Sequence, residues 1–89
     1  NNCARKKEKA KEINKIDKEI VRLLEKRFNI VNEIGNYKRK QGLSIYDEAR
    51  EKQVVESCTS YLENKEYSKF IDDIYFQIMK CSKDIQQEG

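Results

Sequence analysis

From Ile13 onward the apolar residues Ile13, Ile16, Ile20, Leu23, Ile30, Ile34 and Tyr37 recur at alternating steps of three and four. That spacing is the seam of an amphipathic helix. Arg27 takes the one step of the series, between Leu23 and Ile30, where an apolar side chain is due. A second stripe, Ala10, Asp17, Leu24, Val31 and Lys38, runs beside the seam at intervals of seven and puts Lys38 on its flank. Nothing interrupts the pattern decisively before "QGLS" at 41 to 44, since a lone Gly35 costs only ~1 kcal/mol relative to alanine. The pattern predicts a first helix from about residue 5 to 40. At 1.5 Å per residue it is roughly 50 Å long, against a radius of gyration of about 12 Å for a compact globule of this size.

Asp47 is placed to cap a second helix over "EAREKQVVESCTSYL", with Glu51 heading a face of Val54, Cys58 and Leu62. The polar "ENKEYS" then breaks the chain. "KFIDDIYFQIMKCSKDIQQ" predicts a third helix with Ile71, Ile74, Ile78, Cys81 and Ile85 inward and Tyr75, Met79, Ser82 and Gln86 on its shoulder. Two short helices cover only part of the first. The expectation is an all-α fold of one long and two shorter helices, completed by a second copy as an intertwined homodimeric bundle. Residues 1–89 form a single domain on this reading, with 1–8, in and before the charge-rich "KKEKAKE", prone to fray.

Composition agrees with helices. The chain has 89 residues, 37% of them hydrophobic and 39% charged, with no proline and no tryptophan. A chain of this length buries only roughly 60 to 65% of its unfolded surface, so the core is thin. The net charge of +3 does not by itself imply nucleic acid, and the cations are interleaved with Glu25, Glu33, Glu48 and Glu51 rather than gathered on one face. A basic nucleic-acid binder is therefore disfavoured. Cys3, Cys58 and Cys81 lack the close spacing of a metal knuckle and have no histidine to help them. No metal site is expected, and reduced thiols point to the cytoplasm. No apolar run approaches the ~20 residues of a membrane span and no signal-peptide pattern stands at the start, so a soluble chain is expected.

Each polar residue on an apolar face has an ordinary explanation when taken singly. Arg27 could snorkel or pair with a glutamate, Lys38 could complement a helix end, and Glu51 could be a first-turn charge. What changes the reading is that every helix contributes: Arg27 and Lys38, then Asp47, Arg50 and Glu51, then Ser82 and Gln86. Arg27 can hold a carboxylate bidentately and Lys38 offers a compact ammonium. The set outlines a pocket for a small anion that bears a hydroxyl. It lacks the histidine, the activated serine and the glycine-rich loop of nucleophilic, acid–base or phosphate chemistry.

The runs "INKIDKEIVRLLEKR", "IGNYK", "GLSIYDEARE" and "SKDIQQ", in that order and spacing, resemble the all-helical class of chorismate mutases from about Ile13 to Gln87. The resemblance implies a domain-swapped three-helix dimer that rearranges chorismate to prephenate, on the route to phenylalanine and tyrosine, without a cofactor. It implies that Arg27 grips a substrate carboxylate, and that Lys38 and Gln86 donate to the breaking ether oxygen. Glu51 would accept from the ring hydroxyl, with Asp47 nearby, Arg50 orienting the acidic group, Ser82 assisting a carboxylate, and Ile34 and Met79 walling the ring. Such a rearrangement needs no covalent bond to the enzyme, only a selected conformer and fixed donors where charge develops.

One position departs from the family pattern: an arginine that reaches across the dimer is usual where this chain has Ala10. Lys6, Lys7 or Lys11 is expected to supply that charge, Lys7 across the subunit boundary, although lysine lacks the bidentate fork. An isochorismate-pyruvate lyase and a non-catalytic dimerisation or regulatory module share the frame and stay open on the residues alone. Replacing Lys6, Lys7 and Lys11 together by alanine is expected to raise the apparent Michaelis constant for chorismate. An unchanged constant would remove the lysines from the site.

Overall fold

A computed structural model describes residues 2–88. It contains α1 (Asn2–Gln41), α2 (Glu48–Ser60), a 3-10 turn (Lys65–Tyr67) and α3 (Ser68–Glu88), with no strand among the described residues. The all-α class and the three helices are those expected from the apolar periodicity. By internal packing the chain divides into two compact units, one up to Ile30 and one from Val31 onward.

In the first unit the chain is helical from Asn2, three residues earlier than expected, and the helix takes in residues 2–8. Asn1 lies outside the described residues. No breaker stands in this stretch, and its lysines, glutamates and alanines are strong helix formers. The first turn carries no acidic residue to complement the dipole. Leu24, Arg27 and Phe28 are half-buried, and the rest of the described residues up to Ile30 are exposed. The Lys9–Glu12 ion pair at 3.3 Å is exposed as well, so it contributes little.

The second unit opens on the last turns of α1. Lys38, Arg39 and Lys40 stand at its C-terminus, where cations complement the dipole. Gly42, at φ 66°, turns the chain out of the helix. Its N–H donates to the Arg39 carbonyl at 3.3 Å and the Leu43 N–H to the Lys38 carbonyl at 2.8 Å. These are the two bonds of a Schellman stop, which glycine allows because the left-handed region carries no Cβ penalty for it. Asp47 caps α2 as expected: its carboxylate accepts from the Arg50 N–H at 3.0 Å.

α2 packs along α3. The Thr59 hydroxyl lies 2.7 Å from the Asp72 carboxylate and 2.9 Å from the Val55 carbonyl, tying the two helices together. Between them Asn64 caps the short turn at the Glu66 N–H, and Lys65 donates to the Ser60 carbonyl at 2.8 Å near the end of α2. α3 meets α1 at Gly35: a Cβ built there would sit 2.7 Å from the Gln86 Cα. The Arg39 guanidinium, braced by the Asn36 side chain, donates to the Gln86 carbonyl beside this crossing.

The buried residues of the helices are Val31 and Gly35 on α1 and Met79 and Ser82 on α3. Val31 and Met79 belong to the stripes read as shoulders. The seam residues Ile13, Ile16, Ile20, Leu23, Ile30, Ile34 and Tyr37 are between 43% and 61% exposed. On α3, Ile74 was expected inward and is 54% exposed, while Met79 and Ser82 are the covered positions. On α1 the chain leaves the seam outside, whereas on α3 Ile71, Ile78, Cys81 and Ile85 of the expected inward face are half-buried.

Gly35 therefore serves close approach as well as helix continuity. Gly35→Ala gains alanine's ~1 kcal/mol of helix propensity but forces the Gln86 backbone away, and is expected to cost a net 1–3 kcal/mol on the order of other overpacked contacts. A lower urea midpoint at unchanged slope checks this. An unchanged or higher midpoint would mean that α3 moves aside freely.

Candidate functional site

The α3 face that reaches α1 is built by spacing. Met79, Ser82 and Gln86 stand at i, i+3 and i+7, one above the other on a helix. Met79 is 7% exposed and Ser82 6%. The Ser82 hydroxyl donates to the Ile78 carbonyl at 2.7 Å. The Gln86 amide nitrogen lies 3.4 Å from the Ser82 carbonyl, and its Oε1 is buried with no hydrogen-bond partner. A buried acceptor left unpaired costs about 1–3 kcal/mol. That cost is one a donor entering this face would remove.

Lys38 is half-buried on the α1 stretch between Gly35 and Gly42, next to the Arg39 that holds the Gln86 carbonyl. Glu51 is half-buried one turn into α2, where its own N–H donates to the Asp47 carbonyl at 3.0 Å. Glu51 and Met79 border one groove of about 410 Å³ between α2 and α3, together with Tyr46, Glu48, Val55 and Phe76. Asp47 and Arg50 are exposed at its head. The Arg50 guanidinium donates along its own helix to the Gln53 side-chain oxygen at 3.1 Å. Ile34 is 43% exposed.

Of the residues expected from the sequence, the second unit thus brings Glu51 and Met79 to one groove, and Ser82 and Gln86 to the α1 stretch that carries Lys38. Arg27 belongs to the first unit, where it is half-buried. Lys7 lies there too and is exposed; the shallow surface around Ala10 is bordered by Arg5, Lys6, Lys9 and Ile13. Cys58 and Cys81 are half-buried and Cys3 is exposed, all as free thiols. Among the described residues no group of histidine, cysteine and carboxylate side chains is arranged to hold a metal ion, and no helix is long and apolar enough to cross a membrane.

Three residues of this region were not singled out from the sequence. Arg39 looked like one more cation at a helix end, yet it fixes the α3 backbone at Gln86. Tyr46 and Lys83 meet across the fold, the ammonium 4.4 Å from the ring centroid. An Asn36–Arg39 pair at i, i+3 could have flagged the first. No spacing signals the other two, because they come from separate elements.

Charge gathers unevenly around Tyr46. The Glu48 carboxylate, then partial desolvation, then the Glu51 carboxylate raise the phenol above its ordinary value. All three disfavour phenolate, the charged form.

The second unit thus carries half-buried Lys38 and Arg39 on α1, the half-buried Glu51 carboxylate in the first turn of α2 and, on α3, a glutamine with an unpaired oxygen. The chain belongs to the chorismate mutase type II family, whose model matches residues 10–87. Among curated proteins no sequence matches it.

Since the raised phenol keeps its proton to higher pH, the tyrosine absorbance lost in Tyr46→Phe is expected to titrate above the ordinary pKa of about 10. Glu48→Gln should bring that transition down. A Tyr46 transition at the ordinary value in the parent protein would remove the carboxylates from its surroundings.

Proposed function

We propose that this chain is a chorismate mutase, converting chorismate to prephenate in the cytoplasmic synthesis of phenylalanine and tyrosine, and that it works as a homodimer. The observation that carries the reading is the packing of Gln86 against Gly35 in a chain of this family, which sets the α3 face of Met79, Ser82 and Gln86 beside the α1 stretch of Lys38.

In the rearrangement the ether C–O bond breaks as the new C–C bond forms, within one molecule and with no proton transferred to the protein. Negative charge grows on the ether oxygen. Lys38 and the Gln86 amide are the donors for it, placed in advance so that no reorganisation is needed at the moment of reaction. For that role the Gln86 amide turns its NH₂ from the Ser82 carbonyl, an interior helical acceptor in α3, to the substrate. Glu51 accepts from the ring hydroxyl, with Asp47 beside it and Arg50 orienting it. Arg27 and Ser82 hold carboxylates, Ile34 and Met79 enclose the ring, and Lys7 or a neighbour in the basic N-terminal segment reaches the site of the other copy.

The dimer rests on the uncovered seam. Ile13, Leu23 and Ile30 are each more than half exposed, and a contiguous apolar stripe of that kind marks an association surface. Covering it gains about 25 cal/mol for each Å² removed from water. A second copy offers the same stripe in return, which is the self-complementarity a two-fold interface requires.

The deciding experiment follows chorismate loss and prephenate formation by the purified protein and by Arg27→Ala, with sedimentation to establish the assembly of each. A folded dimer in both is expected, with turnover in the parent and a loss on the order of 10²-fold or more in the variant. An inactive parent dimer, or full activity in Arg27→Ala, would overturn the assignment.

A further inference from the structure

The connection between α1 and α2, residues 42–47, carries Asp47 and leads directly into Arg50 and Glu51. At its α1 end the Schellman stop at Gly42 holds it. At its α2 end the Asp47 cap holds it. A further tie runs to α3: the Lys83 ammonium stands 4.4 Å from the centroid of the Tyr46 ring, inside the ~6 Å within which a cation is attracted to an aromatic face. Lys83 follows the buried Ser82 and precedes Gln86 by three residues, and is itself half-buried. Tyr46 borders the groove that also takes Glu48 and Glu51.

We propose that Tyr46 and Lys83 form a latch that positions Glu51 in the groove it shares with Met79 of α3. They are positioning residues: the ring and the ammonium meet each other and act on the site through the connection they hold. The inference rests on the functional reading above for its effect on turnover, and on geometry alone for its effect on the head of α2. A half-buried lysine side chain also loses rotamer freedom when it is held, so the stacking has to outweigh that loss. The ammonium over the ring provides for it.

The latch makes a prediction that a merely space-filling tyrosine does not. Lys83→Met and Tyr46→Leu should each speed amide hydrogen exchange at Arg50 and Glu51 roughly two- to fivefold, the range of an exposed cation–π contact, without changing exchange at Cys58 and Thr59. The double variant should be no worse than either single one. Lys83→Arg and Tyr46→Phe, which keep a cation over a ring, should behave as the parent. In turnover of chorismate the same two disruptive variants should lower kcat by a similar factor at little cost in the Michaelis constant, and the two conservative variants should restore it.

Unchanged exchange in Lys83→Met, or additive effects in the double variant, would overturn the latch. A raised Michaelis constant in Lys83→Met alone would overturn it too, because that result makes Lys83 a substrate contact independent of Tyr46. A parent protein without chorismate turnover would overturn the functional reading instead, while hydrogen exchange still decides the latch.

Discussion

The second unit depends on how closely α3 can approach α1, and a single residue sets that distance. At Gly35 the two backbones are so near that even a methyl group would strike the Gln86 Cα. Close packing carries the turn of α3 that holds Gln86 onto the helix that holds Lys38, and Arg39 then fixes the Gln86 carbonyl. The side chains between, Val31, Met79 and Ser82, are the covered ones. Moved outward by the width of a methyl group, α3 would lose dispersion contacts that fall off steeply with distance.

That contact also explains the polarity of the site. Helices that meet at small residues leave little room for apolar filling, so the neighbouring positions can carry polar side chains that point along the interface. Ser82 satisfies its hydroxyl on its own helix, whereas the Gln86 oxygen is left unpaired. Partly satisfied polar groups in a protected setting are costly to stability. In the proposed function a polar ligand meets this face.

A thin core is the second constraint. Both α1 and α3 carry two apolar stripes, and this chain is too short to cover all of them. The covered stripes bring the polar residues together, and the uncovered one spans the long helix from Ile13 to Tyr37. In the proposed homodimer a second copy would cover this stripe, and a distant lysine would enter the proposed site by the same contact. Assembly and chemistry would then be aspects of one packing problem.

The sequence alone determined the helices. The seam at steps of three and four, the glycine stop at Gly42 and the cap at Asp47 are local signals, read from neighbours within a turn or two, and they predicted three helices whose bounds fall within a few residues of those found. The dispersed polar set was read as a group because its members share helical faces with apolar residues and match a family pattern; of that set the second unit brings Glu51 and Met79 to one groove and Gln86 to the α1 stretch of Lys38. What the chain buries was not legible. On α1 the seam is the more apolar stripe, yet it is the shoulder residue Val31 that the chain buries, and only the packed arrangement decides that. The Tyr46–Lys83 contact and the role of Arg39 were likewise decided by the tertiary structure, since they join residues 37 and 47 positions apart. Separation of that order leaves no periodic trace: a helix repeats every few residues, but the distance between helices is set by the atoms that meet there.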